Sequence, residues 1–159
     1  MKIAQSSAGL PTLEQIAAKS GREFMEAVLN GEFAAAPIGI TLGFSVHEIG
    51  DGRAVFRGEP SFSVYNPIGS VHGGWFGTLL DSCMACAVQT ALPKGKTYTT
   101  LEFKVNIIRP LFASSGPVLA IGDATHVGRR TGVAEGRIVG EQDGKLYATG
   151  STTCIIMDI

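Results

Sequence analysis

Charge is scarce in this sequence. Asp, Glu, Lys and Arg make up 17% of 159 residues, against about 25% in an average soluble domain. With apolar residues at 45%, that scarcity reads as a well-filled core. It excludes an intrinsically disordered chain, which needs low hydrophobicity and high charge. An excess of either sign is lacking too. Thirteen basic side chains face fourteen acidic ones, a net charge of −1, so neither nucleic acid nor an anionic membrane is expected as a partner. No apolar run approaches the ~18 residues of a transmembrane helix. Residues 1–15 hold one lysine and no apolar stretch like that of a secretory signal. Cysteines number only three. An odd count in a chain of this size argues against a disulfide framework, and cytoplasm is the expected compartment. The glycine fingerprints of phosphate and dinucleotide binding are missing, as is the G-x-S-x-G elbow of a serine hydrolase.

Glycine, by contrast, is abundant: 21 of 159 residues, close to double the usual ~7%. Many tight turns or close backbone approaches are implied. The length suits one domain, divided here into an N-terminal portion, 1–38, and a main unit, 39–159. Residues 1–10 read as a loose tail. Thr12 and Gln15 spell a helix start. Leu13, Ile16, Phe24, Val28 and Leu29 fall near one face, so an amphipathic helix is predicted over 13–30, weakened at Gly21. Strands are predicted over 39–48 and 52–59, joined at Gly50, Asp51 and Gly52, with a loop over 60–70.

From Val71 to Leu92 the chain carries one formal charge, Asp81. A helix apolar on nearly all its faces belongs inside the protein. After it, Leu101, Phe103, Val105 and Ile107 alternate with Thr100, Glu102, Lys104 and Asn106, the pattern of a half-buried strand. Three more strands are predicted over 117–127, 131–141 and 145–157, with short turns that make them antiparallel neighbours. The glycines of 116–150 are expected at bulges and bends. Six strands and one wholly apolar helix have one economical arrangement. It is an α+β fold in which a curved antiparallel six-stranded sheet wraps around the long central helix, with an extra N-terminal helix.

Two features of the central helix carry chemistry. Gly73 and Gly74 stand where the loop enters it. The first amides of a helix have no internal acceptor, and the dipole leaves partial positive charge there. Lacking a Cβ, glycine admits a ligand close to those amides, which suits a carbonyl oxygen that gains negative charge on attack. Tight packing against the sheet explains the same glycines. Asp81 sits among Leu79, Leu80, Cys83, Met84 and Ala85. A carboxylate in apolar surroundings has a raised pKa, which poises it as general base or nucleophile. Alternatively Thr78, Asp81, Ser82 and Gln89 form a solvent-facing stripe. Gly74 and Asp81 are seven residues apart, about 10.5 Å along a helix, too far to meet one reacting carbon. If both act, the carboxylate comes from a second copy, so a homodimer with shared sites is expected.

Other residues are less pointed. Cys83 and Cys86 have C-x-x-C spacing but lie well inside the helix, without further ligands at zinc spacing. They read as buried small hydrophobes, and no metal or cofactor is expected. His47 and His126 fall in strands and read as structural. His72, directly before the glycine pair, can orient the loop, contact substrate or act as a base. Arg129 and Arg130 at a hairpin turn, with Lys94 and Lys96 after the helix, can meet the phosphates of a large anionic substrate or remain solvated.

The stretch N-P-I-G-S-V-H-G-G-W-F-G-T-L-L-D, Asn66 to Asp81, resembles the hotdog-fold acyl-CoA thioesterases of the phenylacetate-degradation (PaaI-like) family. The segments T-L-E-F-K-V-N-I-I-R-P, H-V-G-R-R-T and D-G-K-L-Y-A-T-G-S-T-T are similar to that family as well, so the likeness covers 39–157. The resemblance implies a hotdog fold whose members pair sheets into dimers and commonly form tetramers. It implies hydrolysis of an acyl-CoA to a carboxylic acid and free CoA. Asp81 would then be the catalytic carboxylate, reaching from the partner subunit to activate water or attack directly. The Gly73 amide, with Gly74 beside it, would polarise the thioester carbonyl. Asn66 would place the water or the carbonyl, and His72 would shape the same pocket. Thr100, with Thr99 as alternative, would assist, and Arg129 or Arg130 would meet the CoA nucleotide. Two departures are plain: residues 1–38 have no counterpart in the core motif, and the bulk of Trp75 is expected to narrow the acyl site. Two rivals stay open: hydration or dehydration of an enoyl thioester through His72 and Asp81, and a noncatalytic acyl-CoA-binding module.

Overall fold

Two capping boxes divide the N-terminal portion. Thr12 and Gln15 cap each other's amides at the start of α1 (Leu13–Ala17), as the sequence implied. Ser20 and Glu23 repeat the motif at α2 (Gly21–Leu29). The one helix predicted over 13–30 is therefore two, because Ser20 supplies a second start within the same apolar stripe. Gly21 opens α2 and packs where no side chain fits: a Cβ there would collide with the Gln89 carbonyl. Its N–H donates to the Leu92 carbonyl at 2.9 Å, fastening α2 to the end of the central helix. The computed structural model describes residues 3–159. It shows that the expected loose tail is partly ordered, with Ile3 bridged to Ala35 and Ala4 buried; Met1 and Lys2 of that tail lie outside the described residues.

The strand predicted over 39–48 also splits. A short helix, α3 (Ile38–Leu42), ends at Gly43, whose φ of +70° favours glycine. β1 (Phe44–Gly50) follows and turns at Asp51 and Gly52 into β2 (Arg53–Gly58). The rest of the chain is α4 (Gly73–Thr90), β3 (Lys96–Ile107), β4 (Val118–Val127), β5 (Thr131–Gly140) and β6 (Leu146–Asp158). All six strands join in one antiparallel sheet, in the order β1-β2-β4-β5-β6-β3. The sheet curves around α4, which touches every strand. This is the α+β hotdog arrangement. Among the described residues, no helix is long and apolar enough to cross a membrane.

The core lies between α4 and the sheet. Phe76, Leu79, Leu80, Met84 and Val88 are completely enclosed, and each such side chain contributes about 1.5–3 kcal/mol through burial. The glycines nearby have a different role from the expected bends. Gly122, Gly132 and Gly136 face the helix: a Cβ on Gly122 would collide with the Cys83 carbonyl, and one on Gly136 would fall 2.7 Å from Met84 Cγ. They let α4 sink into the sheet, and only Gly116 and Gly144 are turn residues with positive φ in that stretch.

β3 is an edge strand, and its alternation is interrupted. Thr100 pairs with Cys154 and Glu102 with Thr153, so Leu101 is an extra residue. Such a bulge reverses which face later residues occupy. As a result Tyr98 and Thr100 share the α4-facing side with Phe103, Val105 and Ile107. Strict period-two alternation would have put Thr100 on the opposite face. Phe103 and Ile107 approach Gly77 and Gly73 yet remain 45% and 49% exposed. The expected half-buried strand is open in the single chain.

Candidate active site

A pocket of about 450 Å³ lies between α4 and the N-terminal helices. Asp81, Ser82, Ala85 and Gln89 of α4 line it, and positions 81, 85 and 89 fall on one face of a helix. Asp81, Ser82 and Gln89 of the polar stripe thus face this pocket rather than open solvent, whereas Thr78 does not line it. Phe24, Met25 and Val28 of α2, Phe44 and Val46 of β1, and Tyr98 and Thr100 of β3 supply other parts of the wall.

Asp81 is part-buried there, and the Thr100 hydroxyl donates to its Oδ1 at 2.9 Å. Burial holds the carboxyl above its ordinary range, and the Thr100 hydrogen bond pulls it part of the way back. Among the described residues, no Lys, Arg or His lines the pocket to neutralise it. Thr99 is exposed and does not line the pocket.

The start of α4 forms a second locus. His72 is the N-cap, and its Nδ1 accepts the Gly74 N–H at 2.8 Å. The Gly74 amide is therefore engaged, whereas the Gly73 amide has no acceptor among the described residues. The turn is held by the Val71 N–H on the Leu111 carbonyl and the His72 N–H on the Val64 carbonyl. Asn66 closes the preceding loop: its Oδ1 accepts from the amides of Ile68 and Ser70, and its Nδ2 donates to Ser70 Oγ. Gly73 and Asp81 are eight positions apart on one helix, about 12 Å. A single chain does not bring the two loci together.

Residues 68–147, from just before α4 to the start of β6, match the thioesterase superfamily. The chain belongs to that superfamily. A protein of Halobacterium salinarum named as an esterase is 34% identical to this thioesterase over 107 residues, 64% of this chain and 69% of the other. The PaaI phenylacetic acid degradation protein of Thermus thermophilus, in a mutant structure, is 32% identical, with a TM-score of 0.66 over 75% of this chain and 97% of that one. A thioesterase of Ralstonia eutropha related to phenylacetic acid degradation is 28% identical, with a TM-score of 0.74 over 83% and 98% of the two chains. The protein is thus a PaaI-like, hotdog-fold thioester hydrolase.

The remaining candidates of this thioesterase fall elsewhere. Trp75 is 2% exposed. Its indole N–H donates to the Leu42 carbonyl at 2.8 Å, and its ring lies against Gly58 of β2 and edge-on to Phe76. Its bulk is absorbed by the core and does not narrow the Asp81 pocket. Arg129 and Arg130 are exposed at the β4–β5 turn, beside a surface hollow shared with Lys96, Leu101 and Ile155. Lys96 pairs with Asp158 and Lys94 with Glu23. The two arginines have no carboxylate partner among the described residues. All three cysteines are free thiols. Burial raises Cys83 and pushes Cys86 up to about 12, so neither is a ready nucleophile.

Tyr98 was not marked by any motif. Among the described residues its hydroxyl meets only the Cys86 sulfur, at 3.9 Å, and burial holds the phenol well above its ordinary pKa. The available signal was positional: Tyr98 lies two residues before Thr100 on the same strand face.

Proposed function

We propose that this thioesterase hydrolyses acyl-CoA thioesters at sites shared by two copies of the chain, with Asp81 of one copy facing Gly73 of the other. The observation that carries this reading is the Asp81–Thr100 pair on the wall of a largely apolar pocket, on the same helix as an unused Gly73 amide. Asp81 takes a proton from water, and the water oxygen bonds to the thioester carbonyl carbon. The carbonyl oxygen gains negative charge, which the Gly73 N–H and the helix N-terminus stabilise. Collapse breaks the carbon–sulfur bond, and the departing thiolate takes up a proton, giving a carboxylic acid and CoA. Thr100 orients Asp81 and leaves Oδ2 for the water.

The exposed edge of β3 supports pairing of two copies. Leu101 is 59% exposed, beside the part-exposed Phe103 and Ile107. A long open edge with apolar side chains is a ready template for a second strand. The unpaired guanidinium groups of Arg129 and Arg130 suit the phosphates of CoA. Ile16 of α1 and Phe24, Met25 and Val28 of α2 form part of the acyl pocket wall. The engagement of His72 Nδ1 at the cap weighs against hydration through that side chain.

The test is thiol release from short, medium, long and aryl acyl-CoAs. Turnover by wild type and its loss in a folded Asp81→Asn variant are expected; an unaffected variant ends the assignment of Asp81.

A further inference from the structure

The Asp81 pocket is built from one copy of the chain. β1 and β3 are the two ends of the strand order, so the sheet that curves around α4 leaves a seam between them. Both edges supply pocket wall, β1 through Ser45 and Val46 and β3 through Thr97 and Tyr98, and α4 is the floor. The N-terminal portion roofs the seam. Leu10, Ile16 of α1, Phe24 of α2 and Ile38 of α3 line the same space, while α1 touches β3 and α2 touches β1. The roof is fastened on both sides. The Gly95 N–H, beside β3, donates to the Ala17 carbonyl at 3.1 Å, and Arg22 of α2 pairs with Asp51 in the β1–β2 turn. The superfamily match, 68–147, includes none of these roof residues. Asn66, His72 and Gly73 do not line the pocket. The apolar space thus adjoins Asp81 and leaves the start of α4 out.

We infer that the copy donating Asp81 also houses the acyl tail beneath its N-terminal roof, and that the tail is an unbranched aliphatic chain of about eight carbons. The copy donating Gly73 then has no part in selecting chain length. This rests on the acyl-CoA reading above. Length follows from the floor. Asp81, Ala85 and Gln89 line the pocket on successive turns of α4, and eight residues span about 12 Å. An extended chain advances about 1.3 Å per carbon, given bonds of about 1.5 Å, so an eight- or nine-carbon acyl group matches that floor. A phenylacetyl group reaches roughly half as far and leaves the remaining apolar wall uncovered.

The experiment measures kcat/KM from acetyl-CoA to dodecanoyl-CoA, with phenylacetyl-CoA beside them. Each methylene that meets the wall is worth roughly fourfold. Wild type is therefore expected to favour octanoyl-CoA over butyryl-CoA by about tenfold or more, and over phenylacetyl-CoA as well. Cys86 lines the floor five residues beyond Asp81, about 7.5 Å. Cys86→Leu adds bulk there and should shorten the optimum to about six carbons. Mixed dimers decide which copy holds the tail. Asp81→Asn mixed with Gly73→Pro leaves one working site, made from Asp81 of the Gly73→Pro chain and Gly73 of the other. Cys86→Leu carried by the Gly73→Pro chain should shorten the optimum of that site; carried by the Asp81→Asn chain it should not. Phe24→Ala, which strips apolar roof, provides a second variant if Cys86→Leu does not fold, and should lower the octanoyl-to-butyryl ratio from the Gly73→Pro chain alone. A change that arises from the Asp81→Asn chain, from both chains or from neither overturns this inference by itself. So does a wild-type preference for phenylacetyl-CoA. A mixture that hydrolyses nothing while wild type is active overturns the shared site and this inference with it, and an inactive wild type overturns the acyl-CoA reading as a whole.

Discussion

The hydroxyl of Thr100 on β3 donates to the carboxylate of Asp81 on α4 across 2.9 Å. It is the only hydrogen bond to that carboxylate from another side chain among the described residues. Burial raises the Asp81 pKa, and this bond opposes the rise. Thr100→Val keeps the shape and removes the donor, so Asp81 is held higher still. The acid limb of kcat/KM against pH then moves to higher pH, while Thr100→Ser retains the wild-type limb. A pH–rate profile with an unmoved limb in Thr100→Val would separate this pair from catalysis.

Asp81 should also cost stability at neutral pH. Its folded pKa lies above its unfolded one because of burial. Its contribution to folding is therefore fully present below the unfolded pKa and is lost as pH rises through the folded value. Asp81→Asn is expected to melt above wild type near neutral pH, measured by calorimetry, with the gap closing as acid protonates the wild-type carboxyl. Activity moves the other way, falling by about 10²–10⁴-fold.

Gly73 offers a backbone test. It is the first helical residue of α4, after His72 with φ −65° and ψ 140°. Those angles suit the residue before a proline, and proline is at home in the first helical position. Gly73→Pro deletes the free N–H while preserving the helix, so kcat should fall about 10²–10³-fold with circular dichroism unchanged. Gly73→Ala, which keeps the N–H, serves as control. Mixing Gly73→Pro with Asp81→Asn should restore about a quarter of wild-type activity, because a heterodimer carries both lesions in one site and none in the other. Sites confined to one chain would show no recovery.

Gly122→Ala tests how closely α4 lies against the sheet. The added methyl meets the Cys83 carbonyl and the Met84 amide, which are backbone and cannot swing away. Destabilisation of about 3 kcal/mol, the upper part of the overpacking range, is expected by chemical denaturation. Gly144→Ala is a poor control because of its positive φ, whereas Gly50→Ala, with only Arg53 side-chain atoms nearby, should differ far less.

The buried helix and its lone charge could be read directly, because an uncharged run of that length has few other fates. The strands after it followed from alternation and short turns. The bulge at Leu101 could not be read. Its side chain continues an apolar alternation, and only pairing with β6 shows that one residue is extra. The break at Ser20 was visible as Ser-x-x-Glu but was masked by an apolar face continuing through it. Residues 38–42 form an apolar run too short for periodicity to distinguish helix from strand. The glycines facing α4 have the same chemistry as turn glycines, so their role appears only once the helix is in place. Trp75 illustrates the limit at the site: its position beside the glycine pair is sequential, while its ring turns toward β2.

That unpaired residue in β3 makes chain length itself part of the enzyme. Deleting Leu101 would leave every reacting group in the sequence and a strand still able to zip onto β6, but Thr100 would look outward and Asp81 would lose its tether. A relative could keep all the side chains that perform chemistry and be silenced by one missing codon.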